Sequence, residues 1–200
     1  MDIFSHKGRA MDLLSLLNSQ LQDQDVVKKI SKQVGAKPDQ VKQLTELALP
    51  TLLQAMNKNS QTQDGATSLL KALDQHQDDD VSDLNQFFNK VDKQDGAKIL
   101  GHLLGNKEVR VEQGLAAKTG LDMSQVSGLL MMLAPLLLGQ LGKQKKQQNG
   151  FGLDDLMGML GGSNRGSNDV MGMVSGLLDS DGDGDIMDDV SKLLGGFLKK

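Results

Sequence analysis

The stretch MSQVSGLLMMLAPLLLGQL, residues 123–141, is the most apolar part of this chain and decides its fold. Unbranched Leu and Met dominate it, and these residues favour helix over strand. They lie on every side of the predicted helix, which is typical of a helix buried in a protein core. The uninterrupted apolar run covers only residues 129–138 and contains Pro135, so it is too short to cross a membrane. We therefore expect a central core helix that does not cross a membrane, and membrane contact is not the favoured prediction.

The composition extends this prediction to the whole chain. Its 200 residues include 11 Met and five Phe but no Trp or Tyr, and the aromatic residues amount to only 2%. Strands are usually rich in aromatic and β-branched residues, which are scarce here. The predicted fold class is therefore all-α, with a core of Leu, Met, Val and Ile. The chain has no Cys, which excludes disulfides, thiolate metal sites and cysteine catalysis.

The central helix has a counterpart earlier in the chain, at a fixed offset of 85 residues. Each copy has a Gly before the helix, a Gln near its start and a Pro in its middle. The matched positions are Gly35 and Gly120, Gln40 and Gln125, Val41 and Val126, Leu44 and Leu129, Pro50 and Pro135, and Leu52-Leu53 and Leu137-Leu138. A proline inside a helical pattern either bends the helix or starts a new one. We therefore expect an internal pseudo-repeat, with the same bent helix used twice in a multihelical body.

Changes in composition divide the chain into four parts. Residues 1–10 precede a natural-looking start at Met11 and are predicted to be a disordered leader, and residues 11–142 form the helical body. Residues 143–150, KQKKQQNG, lack apolar anchors and predict a polar linker. Residues 151–200 form a flexible Gly/Met-rich tail, in which short amphipathic helices open with Asp pairs and close with Gly pairs.

The tail contains the acidic loop DSDGDGDIMDD, residues 179–189, which predicts an EF-hand-like Ca²⁺ site. An EF-hand takes oxygen ligands from loop positions 1, 3, 5, 7 and 12 and has Gly at position 6. Counting from the first Asp puts carboxylates at the first four of these positions, Gly184 at position 6 and the aliphatic Ile186 at position 8. The candidate metal ligands are Asp179, Asp181, Asp183, Asp185, Asp188 and Asp189.

The second half of this loop departs from the EF-hand pattern. Position 12 is Val190, where an EF-hand has a bidentate Glu, so Asp188 or Asp189 must close the site. We therefore expect modest affinity for Ca²⁺ and a role in stabilising the tail. The alternative is an acidic turn that only caps the last helix. Six carboxylates within eleven residues repel one another without a cation, which favours the metal site.

Other chemistry is not evident, and the sequence predicts a protein that is not an enzyme. The three histidines, His6, His76 and His102, are interpreted as surface side chains, with His76 in a polar turn. The run Asp78-Asp79-Asp80 is interpreted as a solvated charge cluster. The sequence has neither a Gly-rich phosphate loop followed by Lys-Ser/Thr nor a Gly-x-Ser-x-Gly elbow.

The charge distribution bears on partners and on compartment. The net charge is −4, and the one dense basic tract is Lys143-Gln-Lys-Lys146. Binding of nucleic acid needs a basic face and usually stacking aromatic residues, so it is not expected. Residues 1–10 contain no apolar stretch of the kind found in signal peptides, and a cytoplasmic protein is the expectation.

Three of these features together resemble a known family. They are the opening Met11-Asp-Leu-Leu, the helix from Gly35 to Pro50 with its echo from Gly120 to Pro135, and the acidic loop before a short Leu/Gly helix. In combination they are similar to the YidB-like bacterial proteins of unknown function, over most of the chain from Met11 onward. The resemblance implies an all-helical bacterial protein and no established activity.

Two kinds of function remain open from the sequence. The first is an interaction or structural protein whose Ca²⁺-ordered tail docks on the body or on an unknown protein partner, since Met-rich helices offer an adaptable apolar surface. The second is a self-associating or membrane-peripheral helical protein in which the acidic loop is only a helix cap. Such a membrane contact would use apolar side chains of the tail, either Phe151, Leu156, Met157, Met159 and Leu160 or the end Phe197-Leu-Lys-Lys200.

Overall fold

The computed structural model describes residues 9–147, with side chains from Ser15 onward, and this part of the chain is all-helical, as predicted. Within it, the helices are joined by short turns and no strand is present. The helices are α1 (Arg9–Leu21), α2 (Gln24–Val34), α3 (Pro38–Ser60), α4 (Gln63–His76), α5 (Leu84–Lys90), α6 (Lys93–Leu104), α7 (Glu108–Thr119) and α8 (Met123–Gln147), with a 3-10 turn at Gly105–Lys107 before α7.

Helix α8 is the centre of this body, which confirms the prediction made from its apolar sequence. It packs mainly against α6 and α4, and also against α2, α7 and α3. Leu129, Leu133 and Leu137 are fully buried along it. By length and composition alone α8 could cross a membrane, but 72% of its apolar window is buried among the other helices. The buried core helix of a soluble protein passes the same test of length and composition.

Two predicted boundaries are wrong by a few residues. Helix α8 continues to Gln147, so residues 143–147 are helical and not part of a polar linker. The Lys145 ammonium lies 2.6 Å from Oδ1 of Asp74, and Lys146 pairs with Asp78, so two lysines fasten the last turn of α8 to α4 and the turn after it. Positive charge is also favourable at a helix C-terminus. At the other end α1 begins at Arg9, two residues inside the predicted leader.

The two segments that are related by the offset of 85 have matching backbone caps. Helix α2 ends at Gly35 with φ +69°, and α7 ends at Gly120 with φ +67°. In both cases the Gly N–H donates to the carbonyl four residues earlier, Ser31 or Ala116. This left-handed conformation is cheap only for Gly, which explains the residue type at both turns.

The two segments also bind each other through their glutamines. Gln125 Nε2 donates to the carbonyl of Gly35 at 2.5 Å, and Gln40 Nε2 donates to the carbonyls of Thr119 and Gly120 at 3.3 and 3.2 Å. Gln40, in the first turn of α3, therefore binds carbonyls at the end of α7. Gln125, in the first turn of α8, binds the carbonyl at the end of α2. We call these contacts the glutamine clamp.

Both proline-containing helices are continuous. Helix α3 passes through Pro50 and α8 passes through Pro135 without a break in the helical assignment. The sequence allowed each proline either to bend a helix or to start a new one. Neither proline starts a new helix. Pro135 is buried at the centre of the body, and Pro50 is half-buried.

Candidate functional site

The acidic loop lies outside the described residues. The structure therefore does not test Asp179, Asp181, Asp183, Asp185, Asp188 or Asp189 as Ca²⁺ ligands. Within residues 9–147, no group of three or more His, Cys, Asp or Glu side chains is placed to hold a metal ion. If the protein binds Ca²⁺ through such a group, the described body does not supply it.

In the described body, the titratable side chains of His76, Asp79 and Asp95 form a cluster centred on His76. His76 lies in the last turn of α4, Asp79 in the turn that follows, and Asp95 in the first turn of α6. Nδ1 of the ring is 2.8 Å from Oδ2 of Asp79, and Nε2 is 3.4 Å from Oδ2 of Asp95. The imidazole thus stands between two carboxylates and joins α4 to α6.

Local sequence explains how Asp79 and Asp95 come to face this ring. Asp92 caps the N-terminus of α6, accepting hydrogen bonds from the N–H groups of Gln94 and Asp95, and this fixes the first turn in which Asp95 lies. The N–H of Asp79 donates to the carbonyl of His76 at 3.1 Å, which holds the turn tight after α4. The side chain of His76 is only 13% exposed, against about 40% for each Asp.

The interpretation of His76 as a surface side chain in a polar turn is therefore wrong. The ring is largely buried, and both of its nitrogens have a carboxylate neighbour. The spacing of three residues between His76 and Asp79 was a usable local signal. Asp95 comes from a different helix, and no local pattern could have paired it with His76.

The three carboxylates of the acidic run next to this ring, interpreted from the sequence as a solvated charge cluster, each contact another side chain. Asp78 pairs with Lys146, Asp79 contacts His76, and Asp80 accepts hydrogen bonds from the hydroxyl and the N–H of Ser82. The hydroxyl of Ser82 lowers the pKa of Asp80 from its ordinary value. In the same turn, the N–H of Gln86 lowers the pKa of Asp83, the N-cap of α5.

His76 lines two pockets in the surface of the body. The first, of about 450 Å³, is lined by charged side chains of both signs together with Phe87 and Pro135. The second, of about 430 Å³, lies between α4 and α6 and has an apolar floor that includes Leu138 of α8. His76, Asp95 and Lys98 line both pockets. The cluster can hold the ring in one orientation and offer charged groups to either side.

A second acidic pair lies away from these pockets, on α7. Partial burial raises the pKa of Glu108 from its ordinary value, and the charge of Glu112, one turn further along the helix, raises it as well. Glu112 itself is buried, and its Oε1 has no hydrogen-bond partner within the described residues. Ca²⁺ takes six to eight oxygen ligands, which is more than these two carboxylates supply.

The fold and these contacts define a class: a small helical domain organised around one buried apolar helix. Residues 15–144 match the family model described as bacterial protein of unknown function (DUF937), and the chain belongs to this family. The YidB-like resemblance seen in the sequence is thereby confirmed, because YidB is a member of the family. The comparisons with curated proteins and with solved structures found no match.

Proposed function

We propose that this protein is a non-enzymatic interaction or structural protein whose C-terminal loop binds Ca²⁺. The observation that carries the proposal is the pattern Asp179-x-Asp-x-Asp-Gly-Asp185, which has oxygen ligands and Gly at the spacing of a Ca²⁺ loop. In this account the helical body is a stable scaffold, and Ca²⁺ orders the acidic part of the tail. The proposed compartment is the cytoplasm.

The composition of the body supports a scaffold role. Its core is a single cluster of apolar side chains, mostly aliphatic, to which all eight helices contribute. Within the described part of the chain, no group of three or more His, Cys, Asp or Glu side chains is placed to hold a metal ion. A Ca²⁺ effect on the full chain can therefore be traced to the tail by mutation.

Calorimetric titration of Ca²⁺ into the full chain tests this function. We expect binding with a Kd of about 0.1–1 mM, the range of the weaker Ca²⁺ loops, because the closing Glu is missing. Binding should vanish in the double variant Asp181→Ala/Asp183→Ala. It should persist in the matched control Asp78→Ala/Asp80→Ala, which removes two carboxylates from an acidic run of the body.

Two outcomes would overturn the function. Absence of heat at millimolar Ca²⁺ would leave the loop as a helix cap and favour the self-associating or membrane-peripheral alternative. Heat that survives the loop double variant would place the cation elsewhere. Co-sedimentation with anionic vesicles then separates the two remaining alternatives, since only a membrane-peripheral protein pellets with them.

We further propose that the body is built as a pseudo-repeat, α2–α3 matched with α7–α8. In support, the residues at the offset of 85 share their burial: Val26 and Val111, Ile30 and Leu115, and Leu44 and Leu129 are all buried. The glutamine clamp is also reciprocal, because each half donates to the other.

The reciprocal clamp makes a testable prediction about stability. Gln40→Ala and Gln125→Ala should each lower the free energy of unfolding by about 1 kcal/mol, the usual net value of a hydrogen bond, and by similar amounts. Urea unfolding monitored by circular dichroism measures this. Gln113→Ala on the exposed face of α7 is the matched control and should change stability by less than about 0.5 kcal/mol. Clamp variants as neutral as this control would contradict the pairing of the two halves.

A further inference from the structure

The second pocket is a groove with defined walls and ends. Helices α4 and α6 form its walls, and Leu138 of α8 lies in its floor. The contact of His76 with Asp95 closes one end, and the hydrogen bond from Asn59 Nδ2 to the carbonyl of Leu103, at 2.8 Å, closes the other. We call this feature the α4–α6 groove.

The groove suits aliphatic side chains. Leu69, Ile99 and Leu138 line it, together with the partly exposed Ala72 and Leu103. Its volume of about 430 Å³ is in the range of ordinary ligand pockets. An occupant would therefore need several aliphatic side chains on one face.

The position at which α8 ends determines which part of the chain can reach the groove. Lys145 and Lys146 hold the last turn of α8 against Asp74 and Asp78, so the chain leaves the body beside the C-terminal part of α4, one wall of the groove. A helix is about 10–12 Å wide. The five residues 148–152 can span about 17 Å when extended, which is enough to pass over α4.

The first apolar segment after this connection has its aliphatic residues at the spacing of one helix face, as an occupant of the groove needs. Residues 153–160, LDDLMGML, place Leu153, Leu156, Met157 and Leu160 at the i, i+3, i+4, i+7 spacing of one helix face. Unbranched Met and Leu adapt readily to an irregular apolar slot.

Charge on the groove walls also fits this segment. Lys71 of α4 and Lys98 of α6 line the groove and are exposed, and neither forms an ion pair within the described residues. The carboxylates that line the groove are Asp95, which faces His76, and Asp64 in the first turn of α4. The pair Asp154-Asp155 brings the opposite charge to the two lysines.

We propose that residues 153–160 of the same chain dock in the α4–α6 groove, with their aliphatic face on Leu69, Ile99 and Leu138. This goes beyond the proposed function, and it does not depend on Ca²⁺. The docked segment would anchor the start of the tail on the body and leave the acidic loop free to bind its cation.

Disulfide cross-linking in the full chain tests the docking directly, because the chain has no natural Cys. The variant Ala72→Cys/Met157→Cys places one thiol on the groove wall and one on the segment. The control Lys32→Cys/Met157→Cys places the first thiol on the exposed face of α2 instead. We expect the groove pair to form an intramolecular disulfide about tenfold faster or more, because docking raises the effective concentration of one thiol at the other. Adding Leu156→Asp and Leu160→Asp to the groove pair should reduce its rate to that of the control.

Other outcomes of this experiment reject the proposal. Equal rates for the groove pair and the control would show that the segment does not dock there. Cross-linked dimers, formed when the two single-Cys variants are mixed, would identify a second copy as the occupant. The measurement is made in Ca²⁺ and in chelator. Docking predicts fast cross-linking in both, so a failure of Ca²⁺ binding and a failure of docking are distinguishable.

Discussion

Replacing Gly96 with alanine should destabilise this protein by about 3 kcal/mol or more, at the upper end of what overpacking usually costs. Gly96 lies on α6 where that helix crosses α8. A Cβ atom at this position would lie 1.8 Å from the carbonyl oxygen of Met131 and 2.7 Å from its carbonyl carbon. Both are backbone atoms of the central helix, so no side-chain rotation can relieve the clash. The two helices would have to move apart along the largest helix contact in the body.

A matched control lies five residues further along the same helix. A Cβ atom at Gly101 has no atom outside its own helix turn within 4 Å. Gly101→Ala should therefore stabilise the protein by about 0.5–1 kcal/mol, because alanine is the better helix former. Urea unfolding of both variants measures the difference. A Gly96→Ala variant as stable as Gly101→Ala would show that α6 does not cross α8 this closely.

The second large effect is expected at Leu129, in the core of α8. Leu129 is fully buried, so Leu129→Ala should cost about 3 kcal/mol, from the lost transfer free energy and the cavity left behind. The matched position in the proposed pseudo-repeat, Leu44, is equally buried. Leu44→Ala should therefore cost a similar amount.

Val109→Ala is the control for these core substitutions. Val109 is 57% exposed on α7, and its replacement should change stability by less than about 0.5 kcal/mol. The measurement is again the free energy of unfolding in urea. Core variants that lose no more than Val109→Ala would mean that α8 does not lie in a packed interior.

The sequence predicted the helical body well where a local pattern is sufficient. The apolar stretch of residues 123–141 predicted a buried central helix, and α8 is that helix. The sequence shows a Gly before each of the two long helices, and Gly35 and Gly120 are the C-caps of the helices that precede α3 and α8. These features depend on neighbouring residues alone, through helix periodicity and capping.

Features that depend on distant partners could not be predicted. Residues 143–147 suggest a polar linker because they contain no apolar side chain, yet α8 continues through them, and Lys145 and Lys146 pair with Asp74 and Asp78. Likewise, no local pattern shows that Gly96 meets the Met131 backbone, or that Asp95 faces His76. The prediction of a Ca²⁺ site in residues 179–189 lies outside the described residues and stays a prediction.

Nuclear magnetic resonance of the ¹⁵N-labelled full chain during a Ca²⁺ titration tests the central claim, that the acidic loop binds Ca²⁺, most directly. The amide signals of Gly182 and Gly184 fall in the glycine region of the spectrum and report on the loop itself. We predict that these signals and those of residues 179–190 shift together and saturate at millimolar Ca²⁺, while the signals of α2, α3 and the glutamine clamp stay in place. Loop signals that do not move, or shifts centred on Asp78, Asp79 and Asp80, would contradict the account.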